Sequence, residues 1–373
     1  MKYLVLSLLF SSQLILAQPI SKRAIHDLKT SISELFDDEW TQHQFSGVLL
    51  VAINGKPLYY QARGFKNFET KKPLVRSDIF ELASVSKQFT SMIIMMLKER
   101  GKLGYDDPLD AFIKDLPFKG IKLRHLLTHT SGLPDYQSIM DRHWNKNKVA
   151  DNLDIIDYLK KYPEPLHFTP GERYEYSNTG YVLLASVAEV ASGMDFIELV
   201  KKWIFTPLKM KTADFRTPIS KAHMHHLAKG YIYDSTQHAF MSAELFKESN
   251  YTIWLGNRTG PGRISMNACD LLKWDQALHT PFLVSSVTLD EGFSPFVLNN
   301  KKKSNYGFGW ELKSNLKLGR VVHHSGDNPG YHTHIMRFID KNYTIILLNN
   351  NASDHMNSIL DRVEELITDL GVY

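Results

Sequence analysis

The sequence predicts an α+β fold, in which one antiparallel sheet is flanked by helices and interrupted by a mainly helical insertion. Strand patterns occur near both ends of the chain, while helical periodicity dominates the middle. We therefore expect an α/β part built from about residues 22–83 and 290–373, and a helical part over about 84–289. With 373 residues, 43% of them hydrophobic, the chain can bury a large core.

The first residues are typical of a secretory signal peptide. Met1 and Lys2 precede an apolar run over residues 4–16, and Ala17 is the expected cleavage site, so residues 1–17 are removed and 18–373 form the mature domain. The run is short for a membrane span, and no later segment reaches that length. The sequence thus predicts a secreted or periplasmic protein without a transmembrane segment.

Cysteine content and charge argue against a disulfide-stabilised protein and against a nucleic-acid-binding protein. Cys269 is the only cysteine, so no intrachain disulfide can form. The formal net charge is only +4, and the run at residues 301–303 is the pattern of a solvated lysine loop, which gives no indication of nucleic-acid binding. The oligomeric state stays open.

The predicted N-terminal elements are a helix and a hairpin. Apolar residues at helical spacing predict an amphipathic helix over residues 25–41. Two β-rich runs, residues 48–53 and 58–62, flank Asn54-Gly55, the dipeptide that best tolerates the positive φ angles of a tight hairpin turn. These two runs are the first strands of the expected sheet.

The remaining elements follow from the same periodicities. Helices are predicted from Ser84 to about residue 100 and over residues 154–161, 181–191 and 195–204. Strands are predicted over residues 320–324, 331–339 and 343–349, and a final helix over 353–370. Two early and three late strands then make one sheet, with the first and last helices on one face.

The segment Ser84-Val85-Ser86-Lys87 begins the first predicted helix of the middle region. Residues three apart on a helix lie on the same face, which places the Lys87 amine where it can take the proton of the Ser84 hydroxyl. Unpaired N–H groups of a first helical turn favour negative charge, as on an oxyanion. The alternative is an ordinary helix cap followed by a solvated lysine.

Two further clusters fit a reactive serine. Tyr176-Ser177-Asn178 lies in a turn-rich loop before a helix, where a phenol near an amine can relay a proton and a carboxamide can hold substrate or the lysine. His324-Ser325-Gly326 ends a predicted strand whose edge can offer an N–H group to an oxyanion. A core tyrosine, a turn asparagine and a structural histidine are the alternatives.

The three motifs in this order resemble the serine β-lactamase-like superfamily, which includes class C β-lactamases, low-molecular-mass DD-peptidases, D-aminopeptidases and esterases. Further stretches are similar to that family, among them residues 126–134, 207–210 and 270–274, so the resemblance spans nearly the whole mature chain. It implies the β-lactamase and penicillin-binding transpeptidase-like fold.

The resemblance also implies a role for each motif residue. Ser84 is the expected nucleophile, Lys87 its proton acceptor and Tyr176 the proton shuttle. Asn178 and the segment His324, Ser325 and Gly326 are the expected substrate-binding residues. The backbone N–H groups of Ser84 and Asp327 would form the oxyanion hole. No metal and no cofactor is expected, and the partner is a small-molecule or peptide substrate.

The sequence departs from the family at three positions. His324 stands where many members carry lysine, which predicts weaker or pH-dependent recognition of a substrate carboxylate. Asp327 comes directly after the segment His324 to Gly326, and strand alternation predicts that its side chain turns away from His324. Arg263 ends a loop, Gly260-Pro261-Gly262-Arg263, and is either a surface arginine or the anion-binding charge that His324 lacks.

These observations favour an exported serine hydrolase with an acyl-enzyme on Ser84, a DD-peptidase or D-amino-acid peptidase on cell-wall-type substrates. The alternatives are a carboxylesterase of the same fold, a weak β-lactamase, or a penicillin-sensor-like protein with little turnover. The His125 and His129 pair has the spacing of zinc ligands on a helix but lacks the glutamate that usually follows the first histidine.

Overall fold

The computed structural model describes residues 21–221, 224 and 226–370, so the predicted signal peptide lies outside the described residues. In chain order the strands are β1 (Gly47–Ile53), β2 (Lys56–Arg63), β3 (Phe65–Asn67), β4 (Lys72–Pro73), β5 (Phe80–Glu81), β6 (Asp214–Phe215), β7 (Tyr231–Asp234), β8 (Ala239–Ser242), β9 (Ile264–Met266), β10 (Glu311–Asn315), β11 (Gly319–Asn328), β12 (Tyr331–Phe338) and β13 (Tyr343–Asn349).

The helices are α1 (Lys22–His43), α2 (Lys87–Glu99), α3 (Leu123–Leu127), α4 (Tyr136–His143), α5 (Asn152–Lys161), α6 (Asn178–Ser192), α7 (Phe196–Val200), α8 (Pro218–Lys221), α9 (Tyr251–Trp254), α10 (Ala268–Ala277), α11 (Ser286–Gly292) and α12 (Met356–Leu370). One π-helical turn, Lys201–Phe205, continues α7. No helix among these described residues is long and apolar enough to cross a membrane.

The central sheet has six strands in the order β10-β11-β12-β13-β1-β2. The two ends of the chain meet where β1 pairs antiparallel with β13, from Gly47 opposite Asn349 to Ile53 opposite Tyr343. The predicted α+β fold with one antiparallel sheet from both ends is confirmed. The sixth strand, β10, was not predicted, because its sequence Glu-Leu-Lys-Ser-Asn is polar, as suits an edge strand that pairs on one side only.

Both faces of the sheet are covered. Leu49 and Val51 of β1 face the layer formed by α1 and α12, whereas Val48 and Leu50 alternate to the other face and join the large core that includes α2. This burial on both sides explains why β1 is a continuous apolar run rather than an alternating one. The first and last helices therefore share one face of the sheet, as predicted.

The predicted hairpin forms with the expected turn. Asn54 and Gly55, which connect β1 to β2, both have positive φ angles, of 51° and 71°. A Cβ atom on Gly55 would also lie 2.4 Å from the Gln276 side chain, so the turn requires glycine. The middle of the chain, by contrast, holds short strands besides its helices: β5, β9 and β6 form one small sheet, and β7 and β8 another.

Candidate active site

Ser84 lies in a tight 3₁₀ turn, Ala83–Ser86, which leads directly into α2. The sequence predicted an α-helical start at Ser84, but the α-helix begins at Lys87 and the serine precedes it. Ala83 has a φ angle of 47°, a strained conformation for a residue with a side chain. Strain of this kind persists only where the surrounding structure holds the turn in place, and it recurs at functional sites.

The Lys87 amine contacts three oxygen atoms. Its Nζ atom lies 3.1 Å from Ser84 Oγ, 2.8 Å from Asn178 Oδ1 and 3.1 Å from the carbonyl oxygen of Pro261. A neutral amine has two N–H donors and one lone pair. It can therefore donate to the amide and carbonyl oxygens while its lone pair accepts the hydroxyl hydrogen of Ser84.

The surroundings of Lys87 favour the neutral amine. The residue is fully buried, and no carboxylate of the described residues lies within ion-pairing distance of it. Burial, with a smaller contribution from the positive charge of Arg258, holds the pKa of Lys87 well below its usual value of 10.5. An amine with a lowered pKa is a competent base near neutral pH.

Tyr176 and Asn178 reach the same point from the loop before α6. Asn178 is the first residue of this helix, and the Ser177 hydroxyl caps it by accepting a hydrogen bond from the Gly180 N–H. The Tyr176 ring lies 4.7 Å from Lys87 Nζ. Tyr176 is 40% exposed, but the packing around its phenol oxygen raises the pKa and hydrogen bonding to Ser84 opposes this only in part, so the free protein carries a neutral phenol.

His129 is a residue of the site that sequence reasoning did not place there. It is fully buried, has a φ angle of 56°, and accepts a hydrogen bond at Nδ1 from the Ser177 N–H at 3.0 Å. Its ring packs at 4.2 Å from that of Tyr176. Nδ1 of His125 likewise accepts a hydrogen bond from a backbone N–H, that of Lys122, so both histidines support the local backbone.

The free edge of β11 borders the nucleophile turn. Strand β10 pairs with β11 only as far as His323, and the following residues run beside Ala83–Ser86. A Cβ atom on Gly326 would lie 2.2 Å from the Leu82 carbonyl oxygen. Gly326 therefore sets how closely the strand approaches Ser84, and its expected contact with substrate stays a prediction.

His324 is buried behind the phenols of the site. Its Nε2 lies 2.8 Å from the Tyr306 hydroxyl, and its Nδ1 lies 2.6 Å from the Ser325 carbonyl oxygen. Burial, followed by the charge of Lys87, lowers the pKa of His324 to about 3. The expected pH-dependent charge at His324 therefore does not arise between about pH 5 and 8, and the histidine positions Tyr306 rather than reaching solvent.

Asp327 turns away from this cluster, as strand alternation predicted. Its side chain is 82% exposed and lies 3.4 Å from Nε2 of His332. Ser325 shares its exposed face of β11, while His324 and Gly326 are buried on the opposite face. The negative charge of Asp327 is thus directed away from His324 and toward solvent.

Arg263 is not a surface arginine, which corrects the first expectation, and it lines a small cavity beside Ser84, as the second expectation requires. It is 5% exposed, its guanidinium donates to the carbonyl oxygens of Thr252 and Leu255, and it lies 4.0 Å from the buried carboxylate of Glu81. Burial, together with the charge of Arg258, lowers the pKa of Arg263 to about 10. The residue ties the loop to the protein interior.

We expect Arg263→Ala to lower the free energy of unfolding by about 3 kcal/mol, because it removes one member of a buried ion pair and its hydrogen bonds. Denaturant titration measures the change. Arg142→Ala is the matched control, since the side chain of Arg142 is 55% exposed and its surface ion pair contributes at most about 1 kcal/mol. Equal stability of the two variants would contradict the buried role of Arg263.

Comparison with known proteins finds relatives that match nearly the whole described chain. A family model described as Beta-lactamase matches residues 32–368. Penicillin-binding protein 4* of Bacillus subtilis is 39% identical over 339 residues, covering 90% of this chain and 75% of that protein.

Two solved structures share the fold. An octameric penicillin-binding protein homologue from Pyrococcus abyssi superposes with a TM-score of 0.79 at 24% identity, covering 91% of this chain and 77% of that one. A D-amino acid amidase from Ochrobactrum anthropi SV3, complexed with L-phenylalanine amide, superposes with a TM-score of 0.76 at 24% identity, covering 92% and 99%.

Proposed function

Because the chain belongs to the Beta-lactamase family, whose members are serine hydrolases, we propose that it is an exported serine hydrolase that forms an acyl-enzyme on Ser84. Its proposed substrates are D-amino-acid peptides or amides of the cell-wall type. The observation that carries the proposal is the buried Lys87 amine, which has no carboxylate partner among the described residues and lies 3.1 Å from Ser84 Oγ.

In the proposed reaction, Lys87 takes the hydroxyl proton as Ser84 Oγ attacks the substrate carbonyl. The N–H groups of Ser84 and Asp327 stabilise the oxyanion, and the neutral phenol of Tyr176 donates a proton to the leaving group. The leaving group departs and an ester remains on Ser84. Water then attacks this ester and gives a proton to the Tyr176 phenolate, while the Lys87 ammonium returns its proton to Ser84 Oγ as the ester bond breaks.

An esterase is the second candidate, and one observation favours it. The neutral, buried His324 supplies no positive charge at the position where many family members carry lysine. A substrate without a carboxylate on its leaving group does not need a cation at this position, so its binding is not weakened by the neutral histidine. The same observation makes efficient β-lactam hydrolysis a poor fit, because β-lactams present a carboxylate.

A substrate panel tests the proposal. The purified mature protein is incubated with a peptide ending in D-Ala-D-Ala, D-alanine amide, 4-nitrophenyl acetate and a penicillin, while product release and intact mass are followed. We expect steady turnover of a D-amino-acid substrate or an ester, with an added acyl mass on the protein. A stoichiometric burst without turnover would favour the sensor alternative, and no acylation by any substrate would refute the proposal.

Export is a separate part of the proposal and rests on the pattern of residues 1–17. Expression of the full chain in a bacterial host, followed by N-terminal sequencing of the protein outside the cytoplasm, tests it. A mature protein beginning at Gln18 is the expected result. Retention of the intact chain inside the cells would contradict export.

A further inference from the structure

A small cavity opens beside the proposed nucleophile. It has a volume of about 70 Å³, and its lining includes Ser84 and Asn178 together with four charged residues, Glu81, Arg258, Arg263 and Asp327. Since one water molecule takes about 30 Å³ in the liquid, this space accommodates a small polar group rather than a whole ligand. The charges of the side chains that line the cavity indicate the chemical class of this group.

Arg258 supplies one of these charges. The residue is half-buried, it forms no ion pair within the described residues, and its Nε and Nη1 atoms are buried without a hydrogen-bond partner there. Its guanidinium lies 5.8 Å from the centre of the Tyr251 ring. Buried guanidinium nitrogens without protein partners are costly, and Nε and Nη1 of Arg263 in the same wall also have none within the described residues, so the cavity favours a group that accepts hydrogen bonds.

The nearby carboxylates are already engaged. Glu81 is 2% exposed, forms an ion pair with Lys221 and accepts a hydrogen bond from Asn328 Nδ2 at 3.1 Å. Burial raises the pKa of Glu81, but the surrounding cations, Lys221 first, outweigh this and lower it. The exposed carboxylate of Asp327 also lines the cavity and lies 3.4 Å from His332 Nε2. Three cationic side chains, Arg258, Arg263 and Lys221, therefore stand against the two carboxylates of Glu81 and Asp327 at this cavity.

The position of the cavity relative to Tyr176 decides which part of a substrate it receives. Tyr176, the proposed proton donor to the leaving group, packs near His324, and neither residue lines the cavity. The cavity lies on the side of Asn178 and Asn328 instead. A group bound there belongs to the acyl portion, which stays attached to Ser84 after the leaving group has departed.

We propose that Arg258 binds a carboxylate carried by the acyl portion of the substrate, and that it thereby determines specificity. This inference rests on the proposed hydrolase function and adds the class of acyl group. A guanidinium and a carboxylate form paired, charge-assisted hydrogen bonds, and the cavity has room for such a group. The site is distinct from the segment at His324 to Gly326.

Two esters with one leaving group test the proposal. 4-Nitrophenyl hydrogen glutarate carries an acyl carboxylate, and 4-nitrophenyl pentanoate presents a methyl group at the corresponding place. We expect kcat/KM to favour the glutarate in the wild-type protein, and Arg258→Gln to reduce the glutarate-to-pentanoate ratio about ten- to hundredfold, as hydrogen bonds to charged groups typically allow. Arg258→Lys should retain part of the preference.

Dividing kcat/KM for the glutarate by kcat/KM for the pentanoate cancels any change in catalysis that affects both esters equally. Loss of Arg258 also removes a positive charge that lowers the pKa of Lys87, and this change acts on both substrates alike. Arg142→Gln, at a surface arginine, is the control and should leave the ratio unchanged. Absence of a preference in the wild-type protein, or equal ratios in wild type and Arg258→Gln, would overturn the proposal. A preference for a carboxylate on the leaving group, as in 4-acetoxybenzoate, would overturn the placement on the acyl side.

A binding measurement separates this inference from the proposed function. Monomethyl glutarate is titrated calorimetrically into Ser84→Ala and into the same protein carrying Arg258→Gln. We expect a tenfold or greater loss of affinity in the double variant. Binding that depends on Arg258 without turnover would refute the hydrolase while keeping the subsite, whereas ester turnover without Arg258-dependent binding would refute the subsite alone.

Discussion

Ser84→Ala should abolish labelling by a fluorophosphonate probe and reduce kcat/KM toward esters to the detection limit, a loss on the order of 10⁶-fold. The reason is that the proposed acyl-enzyme forms on Ser84 Oγ, which lies 3.1 Å from the Lys87 amine and is its one hydroxyl contact within the described part of the chain. Gel fluorescence and steady-state kinetics measure both effects on the same preparations.

Ser86→Ala is the matched control for this substitution. Ser86 lies in the same 3₁₀ turn, but its hydroxyl is buried and accepts a hydrogen bond from the Ile264 N–H at 3.2 Å. Its loss should cost about 1 kcal/mol of stability while the labelling persists. Labelling that survives in Ser84→Ala, or disappears in Ser86→Ala alone, would show that the nucleophile is misassigned.

Lys87→Met should lower kcat/KM by about 10²- to 10⁴-fold, the usual contribution of general base catalysis, since methionine keeps the apolar stem but cannot accept a proton. In the wild-type protein the rate should rise with pH as the amine loses its proton. Because burial and the charge of Arg258 lower the pKa of Lys87, this rise should be complete well below pH 10.5. A pH profile of kcat/KM on a neutral ester measures it.

Lys98→Met is the control for this profile, since Lys98 lies near the end of the same helix with a side chain that is 37% exposed. It should leave both the rate and the pH profile unchanged. An acidic limb that persists unaltered in Lys87→Met would assign the titration to another group. A wild-type rise centred near 10.5 would mean that the lysine is an ordinary ammonium and not the base.

Much of the fold was predictable because local patterns carried it. The hairpin at Asn54-Gly55 needs two positive φ angles, and the continuous apolar run of β1 reflects burial on both faces, so both are written in short stretches of sequence. The edge strand β10 was missed because an edge strand is paired on one side only, and its polar residues follow no period. The short strand β9 escaped for a related reason, since three residues are too few to show a pattern.

The candidate site likewise combines features that local sequence predicts with features that depend on tertiary packing. The spacing within Ser84 to Lys87 and the capped helix start after Tyr176 are local features, and the structure brings Ser84, Lys87 and Asn178 within hydrogen-bonding distance. The support from His129 and Tyr306 was not predicted, because a lone histidine or tyrosine carries no signal of what it packs against. The roles of Arg263 and Arg258 were not predictable either, because they depend on which groups lie beside each guanidinium in space.

The sequence by itself determined the order of the reactive motifs, the pairing of the two chain ends in one sheet, and the residue types available for acyl transfer. Only the tertiary structure decided the protonation states of the side chains at the site. Burial removes water from Lys87 and His324, which lowers the pKa of the amine beside Ser84 and leaves a neutral imidazole where a cation was considered. Desolvation and charge depend on every neighbour in space, and residues far apart in the chain supply those neighbours.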